Sequence, residues 1–292
     1  MIKTVSAERV DYGARPVSVD IARGRPLTEA QRGNGPGTVM RARPLTRQVV
    51  ADRLSLARWP YGHQVVVCSL AGGTGRSTVA GLIATVLAEL PYAHLHRPVA
   101  LVDTAPYRLT STLRRWAVVD PCPDPPRFEP VGATPSGAWA FRDKSGPSKR
   151  DAFSVLVVDA PVGIPSELTQ VAGGINASVV LVTRPDRVSL SDAADALVWM
   201  GRHSPVTRDR VNVVINNGVG GAARDARAAA TALGIRCAAV HRLGQDPILA
   251  PGSVLPSGRA IPTPLRRTVN RLCLDICDTI PRPSRPTPKE QQ

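Results

Sequence analysis

Val65–Val66–Val67–Cys68–Ser69–Leu70–Ala71–Gly72–Gly73–Thr74–Gly75–Arg76–Ser77–Thr78 is the stretch that decides the fold of this chain. A β-branched apolar run stops at a glycine-rich turn. From Val79 to Leu90 the apolar residues then recur at helical spacing. The pattern predicts a buried strand, a turn of exposed amides, and a helix whose N-terminus faces an anion. Glycines suit such a turn because the backbone must curl around phosphate with no Cβ in the way. Ser77 stands where a hydroxyl would ligand Mg²⁺ beside the phosphates. The alternative is a strand–helix turn of purely structural purpose.

Two departures from the common phosphate-loop pattern, G-x-x-x-x-G-K-[ST], accompany the match. Leu70 stands where that pattern has glycine, and Arg76 where it has lysine. Arg76 keeps the positive charge, but a planar guanidinium does not fill a slot shaped for an ammonium.

Outward from the loop, apolar runs recur at Val99–Asp103, Val155–Asp159, Ala177–Thr183 and Val211–Asn216. Strands alternating with helices predict an α/β fold, a single doubly wound and mostly parallel sheet with helices on both faces. Asp103 and Asp159 each close an apolar run, so both are expected at the carboxyl edge of the sheet beside the loop. Asp159 is the candidate second-shell contact to Mg²⁺, a cation that takes oxygen ligands and keeps several waters. For either aspartate the alternative is a helix N-cap or turn residue.

Ala71-Gly72-Gly73-Thr74-Gly75-Arg76-Ser77-Thr78 resembles the deviant Walker A loop, K-G-G-x-G-K-[ST]-T, of the MinD/ParA family of P-loop ATPases. Further segments resemble that family in its order: Val99–Pro106 its D-x-D-P strand, Val155–Gly163 its Walker B strand, and Ala177–Pro185 with Ser189–Ala193 the next strand and helix. Val211–Asn217 resembles the strand ending in the asparagine that reads adenine, and Gln245–Gly252 the late D-x-x-L-A-x-G segment. The resemblance covers roughly residues 62–280. It implies ATP and Mg²⁺ as ligands, with Gly72, Gly73, Thr74, Gly75, Arg76, Ser77 and Thr78 on the phosphates. It places Asn216 on the adenine edge, Ser77 and Asp159 at the metal, and Asp103 and Arg76 in catalysis. Asn216 could equally be a turn-forming residue before Gly218. It also implies a homodimer and a protein partner in a larger assembly.

Three family positions are altered. Ala71 replaces the lysine that reaches across the dimer, Arg76 the phosphate-cradling lysine, and Ala105 the second acid of D-x-D. Losing one transition-state donor costs about two to three orders of magnitude in rate. The expectation is therefore a nucleotide-dependent switch or scaffold with weak or no hydrolysis, unless Arg114 or Arg115 reaches the phosphates instead. The AGG-x-G-R-[ST] loop and the upstream basic arm look most like accessory ATPases of high-GC Gram-positive bacteria, some associated with secretion or conjugation. Alternatives are an active partition ATPase on non-specific DNA and a pseudo-ATPase that binds no nucleotide. A metabolic enzyme on this fold would need an acceptor site, and no His/Asp/Glu constellation supplies one.

The 292 residues allow one large α/β domain or two small ones, and 43% apolar content supports a sizeable core. No apolar run approaches the roughly 18 residues of a membrane span, and the N-terminus lacks the apolar core of a secretory signal. Five cysteines (Cys68, Cys122, Cys237, Cys273, Cys277) show no metal-site spacing. A cytoplasmic protein with reduced thiols is expected. The net charge of +14 suits a nucleic acid, such as non-specific DNA, or an anionic membrane. However, the excess is spread along the chain, only four of 37 basic residues are lysine, and aromatic content is 4%. Residues 1–43 read as a disordered basic arm and 44–60 as a short helix and linker, with Val49, Val50 and Leu54 on one side. Residues 61–280 read as the nucleotide-binding domain and 281–292 as a disordered tail. The Pro-rich tail argues against the membrane-binding C-terminal helix of MinD proper. Asp120–Lys149, with seven prolines, reads as a long loop, and the family resemblance puts it where relatives place strand–helix units that face a partner.

Overall fold

Valines and alanines spaced for a pleated, doubly buried surface build the centre of the molecule. The computed structural model describes residues 47–56, 59, 61–90, 98–104, 111–116, 118–119, 130–142, 150–163, 176–203, 208–217, 231–234, 236–249 and 261–280. These lie within one compact unit, Leu45–Gln292. The basic arm, Ala105, and the 281–292 tail fall outside the described residues.

Nine strands among the described residues form one sheet: β1 (His63–Ser69), β2 (Val99–Asp103), β3 (Val118–Val119), β4 (Gly132–Ala133), β5 (Trp139–Arg142), β6 (Val155–Val162), β7 (Ala177–Thr183), β8 (Val211–Asn216) and β9 (Ala239–Leu243). Their order is β3-β4-β5-β2-β6-β1-β7-β8-β9. From β5 to β9 every neighbouring pair is parallel, and only β3, β4 and β5 pair antiparallel. After β1 the chain crosses to β2 on one side, and it later emerges at β7 on the other. The winding therefore reverses at β1, and such a switch point opens a crevice at the carboxyl ends of the strands.

Both faces are covered, as expected. Val65, Val67, Leu101, Val157 and Val182 pack under α1 (Arg47–Leu56), α2 (Arg76–Ala88) and α5 (Thr263–Asp278). Val66, Cys68, Val179, Leu181 and Val213 pack under α4 (Arg187–His203). All residues from Thr78 to Leu87 of α2 are buried, as an all-round apolar helix requires. No helix among the described residues is long and apolar enough to cross a membrane.

Two expectations are corrected, and one further strand joins the sheet. First, Val49 does not join Val50 and Leu54: it is 43% exposed, while the other two are buried against the core and Arg53 ion-pairs Asp278 of α5 at 3.0 Å. Second, the described part of 120–149 is not a loop, because Val131–Arg142 contains the β4–β5 hairpin. Thr134-Pro135-Ser136-Gly137 makes its turn, with Gly137 at φ +93° and its N–H donating to the Thr134 carbonyl at 2.9 Å. Pro130 precedes the pair and Pro135 sits in its turn, so no proline interrupts either strand. Beyond these, β9 adds an edge strand where His241 and Arg242 obscure the apolar run.

Candidate functional site

The loop between β1 and α2 lies at the carboxyl end of the strand where the winding reverses. Gly73 (φ +70°) and Gly75 (φ +87°) take left-handed conformations that side chains other than glycine resist. A Cβ on Gly72 or Gly73 would meet no atom within 4 Å, so that part of the loop borders open space. Helix α2 begins at Arg76 with no side-chain cap on its first amides and no acidic residue in its first turn. Uncapped amides and the helix dipole favour an anion at this end. Thr74 is buried, and its Oγ1 has no hydrogen-bond partner among the described residues. A cleft beside it is lined by Leu70, Ala71, Thr183, Ser189 and Asp192. Ser77 and Thr78 are the second and third residues of α2, Ser77 half-buried and Thr78 buried.

Asn216, at the end of β8, is brought to the loop: its Nδ2 donates to the Thr74 carbonyl at 2.8 Å. Nothing in its spacing from Thr74 announced that contact. Asn216, expected on the adenine edge, thus holds the loop between β1 and α2 in place.

Asp103 and Asp159 stand side by side. They are registered partners on β2 and β6, strands about 4.8 Å apart. Strand alternation puts both on the α2 face, because Leu101 and Val157, two residues earlier, pack there. Their exposures are 0% and 1%. Buried carboxylates demand compensating donors. Asp159 obtains them from Arg76, whose Nε donates to Oδ1 at 2.6 Å, and from Thr112 of α3 (Ser111–Trp116), whose hydroxyl donates to Oδ2. The Asp159 carbonyl accepts from the Thr104 amide at 3.2 Å and the Thr104 hydroxyl at 2.8 Å. Arg142, at the end of β5, is the registered neighbour of Asp103 on its other side.

Two of the expected site residues meet each other here. Arg76 turns to the sheet edge and pairs with Asp159. Asp159, covered by Arg76 and Thr112, does not fit the role of a contact to hydrated Mg²⁺. With a donor on each oxygen and 1% exposure, its carboxylate offers little surface to a hydrated cation. No cluster of three or more His, Cys, Asp or Glu side chains suited to a metal occurs among the described residues. Arg115 is held by α2 and a neighbouring turn: Nη1 donates to Thr78 Oγ1 at 3.0 Å and Nη2 to the Leu249 carbonyl at 3.4 Å. Burial lowers its pKa. The side chain of Arg114 lies outside the described residues. Sequence reasoning missed Thr112 and Arg142, since a lone threonine and an arginine among prolines carry no motif.

No family model matches the chain, and no match is found among curated proteins. Solved structures similar to it include a nucleotide-binding protein in complex with ADP from Archaeoglobus fulgidus, at 15% identity and TM-score 0.43 over 79% of this chain and 94% of that one. The MinD cell division protein of Aquifex aeolicus is similar at 16% identity and TM-score 0.44, over 74% and 95%. The cell division ATPase MinD of Pyrococcus furiosus is similar at 16% identity and TM-score 0.49, over 75% and 98%.

Proposed function

We propose that this chain is a MinD/ParA-like nucleotide-binding protein that works as a switch or scaffold with weak or no ATP hydrolysis. The observation that carries the reading is the uncapped start of α2 behind Gly72 and Gly73, at the switch point of a doubly wound sheet. Amides of the loop and the first turn of α2 would hold the terminal phosphates. Asn216 would fix the loop from below through Thr74. A bound nucleoside triphosphate would supply the polyphosphate charge to which the loop responds.

Slow turnover follows from the same residues. Phosphoryl transfer depends on positioned cations and a group that orients water. Here Ala71 and Ala105 offer neither, and Arg76 is engaged by Asp159. We assign the homodimer, the protein partner, an accessory role in a secretion or conjugation machine, and the link to high-GC Gram-positive bacteria on the sequence resemblance alone. Titration with a fluorescent ATP analogue, followed by phosphate-release kinetics, tests the reading. Saturable binding with little release supports it. Rapid turnover revives the active partition ATPase, and absence of binding leaves a pseudo-ATPase.

A further inference from the structure

Asp159 is already supplied with a cation. Its carboxylate is 1% exposed, and a guanidinium sits 2.6 Å from Oδ1. Thr112 donates to the other oxygen, and Thr104 occupies the carbonyl. Mg²⁺ retains several of its waters, so a carboxylate that holds it must present an oxygen to that hydrated ion. A second cation brought beside Arg76 would meet repulsion in a low-dielectric edge. Displacing Arg76 would leave a buried carboxylate uncompensated, which is the costly outcome for any buried ion pair.

Arg76 meanwhile has capacity to spare. A guanidinium carries five N–H donors in a planar fork that matches phosphate oxygens. Only Nε has a hydrogen-bond partner among the described residues, and the side chain retains 14% exposure. As the first residue of α2, Arg76 also stands at the helix end with the positive dipole. Arg142, registered beside Asp103, adds a second cation to the same edge.

We propose that this site binds a nucleoside di- or triphosphate without a divalent cation, Arg76 bridging the Asp159 carboxylate and a phosphate oxygen. The inference rests on the nucleotide-binding reading above and specifies its chemistry. Arg76 is then both the counter-ion of the sheet edge and the ligand's cation. Its hold on Asp159 limits how far it can serve the phosphate.

Calorimetric titration of the full chain with ADP and ATP, in excess Mg²⁺ and in excess EDTA, tests this. Affinities agreeing within about threefold are expected. A loss of more than about tenfold in EDTA overturns the proposal while leaving nucleotide binding intact. No heat in either buffer removes the nucleotide-binding reading and this inference with it. Asp159→Asn gives an opposed prediction. It keeps the shape of the side chain and releases Arg76, so nucleotide should bind several-fold more tightly in EDTA. Weaker binding confined to the Mg²⁺ buffer would instead identify Asp159 as a metal contact and overturn the proposal. Arg76→Lys, which keeps the charge but not the fork, should lose affinity in EDTA. Unchanged affinity in that variant also overturns it. Melting curves of both variants verify that the comparison is between folded proteins.

Discussion

A Cβ placed on Gly75 would lie 2.1 Å from Nδ2 of Asn216, the nitrogen that holds the Thr74 carbonyl. The start of α2 and the end of β8 are therefore fitted to each other at the one loop position with no room for a side chain. Gly75→Ala should cost about 1–2 kcal/mol from its left-handed backbone alone, and more from the clash. Asn216→Ala opens the space and leaves the backbone cost. The double variant should thus be more stable than the two single losses added, by about 0.5–3 kcal/mol. Urea unfolding of the four proteins measures the coupling. Strict additivity would mean that the loop moves away from Asn216 at no cost.

Gly81 has a similar role on the other side of α2. A Cβ there would meet the Trp116 indole at 2.0 Å, so α3 crosses α2 where a glycine leaves room. That crossing positions Thr112 over Asp159 and Arg115 over Thr78. Gly81→Ala gains about 1 kcal/mol in helix propensity but overpacks the crossing by about 1–3 kcal/mol. The expected result is net destabilisation, with a shift in tryptophan emission and weaker nucleotide binding. A variant more stable than the parent would show that α3 yields freely.

Much of this architecture was legible because its causes are local. Each long strand is built around a short apolar run, and β1, the glycines and α2 follow one another with no gap. Asp103 and Asp159 could be placed at one edge because each closes such a run. The β4–β5 hairpin escaped notice because its apolar segment is only four residues long and framed by prolines. β9 escaped because His241 is buried against Asp275 rather than exposed, a tertiary pairing that leaves no periodic signal. The Arg76–Asp159 pair joins residues 83 positions apart. Spacing cannot reveal which way a guanidinium at the start of a helix turns.

Stability should fall in mild acid. His63, at the start of β1, is buried with Nε2 3.1 Å from Ser178 Oγ. Burial, helped by Arg210, lowers its pKa to about 4. The unfolded chain, with an ordinary histidine pKa near 6.5, then takes up the proton first as pH drops. Stability contributed by neutral His63 is complete above pH 6.5 and declines by about 1.4 kcal/mol per pH unit down to about 4. His241 is shifted in the same direction, chiefly by burial. Urea unfolding at pH 7.5 and pH 5 should show the loss, and His63→Gln should flatten it. An unchanged slope in that variant would place the acid sensitivity elsewhere.

Thr112 controls the second oxygen of Asp159 and so completes the neutralisation that Arg76 begins. Thr112→Val preserves shape and removes the donor, leaving a buried carboxylate oxygen short of a hydrogen bond, at a cost of about 1–3 kcal/mol. Thr112→Ser retains the hydroxyl and should recover most of that loss. Because Arg76 remains paired with Oδ1, the valine variant should hold the guanidinium more tightly on the carboxylate. Its affinity for ADP should fall, while the serine variant binds as the parent does. Melting temperature and calorimetry, read together on both variants, separate a stability effect from a binding effect. If valine and serine behave alike, the hydroxyl on Asp159 contributes nothing and Arg76 alone compensates the buried charge.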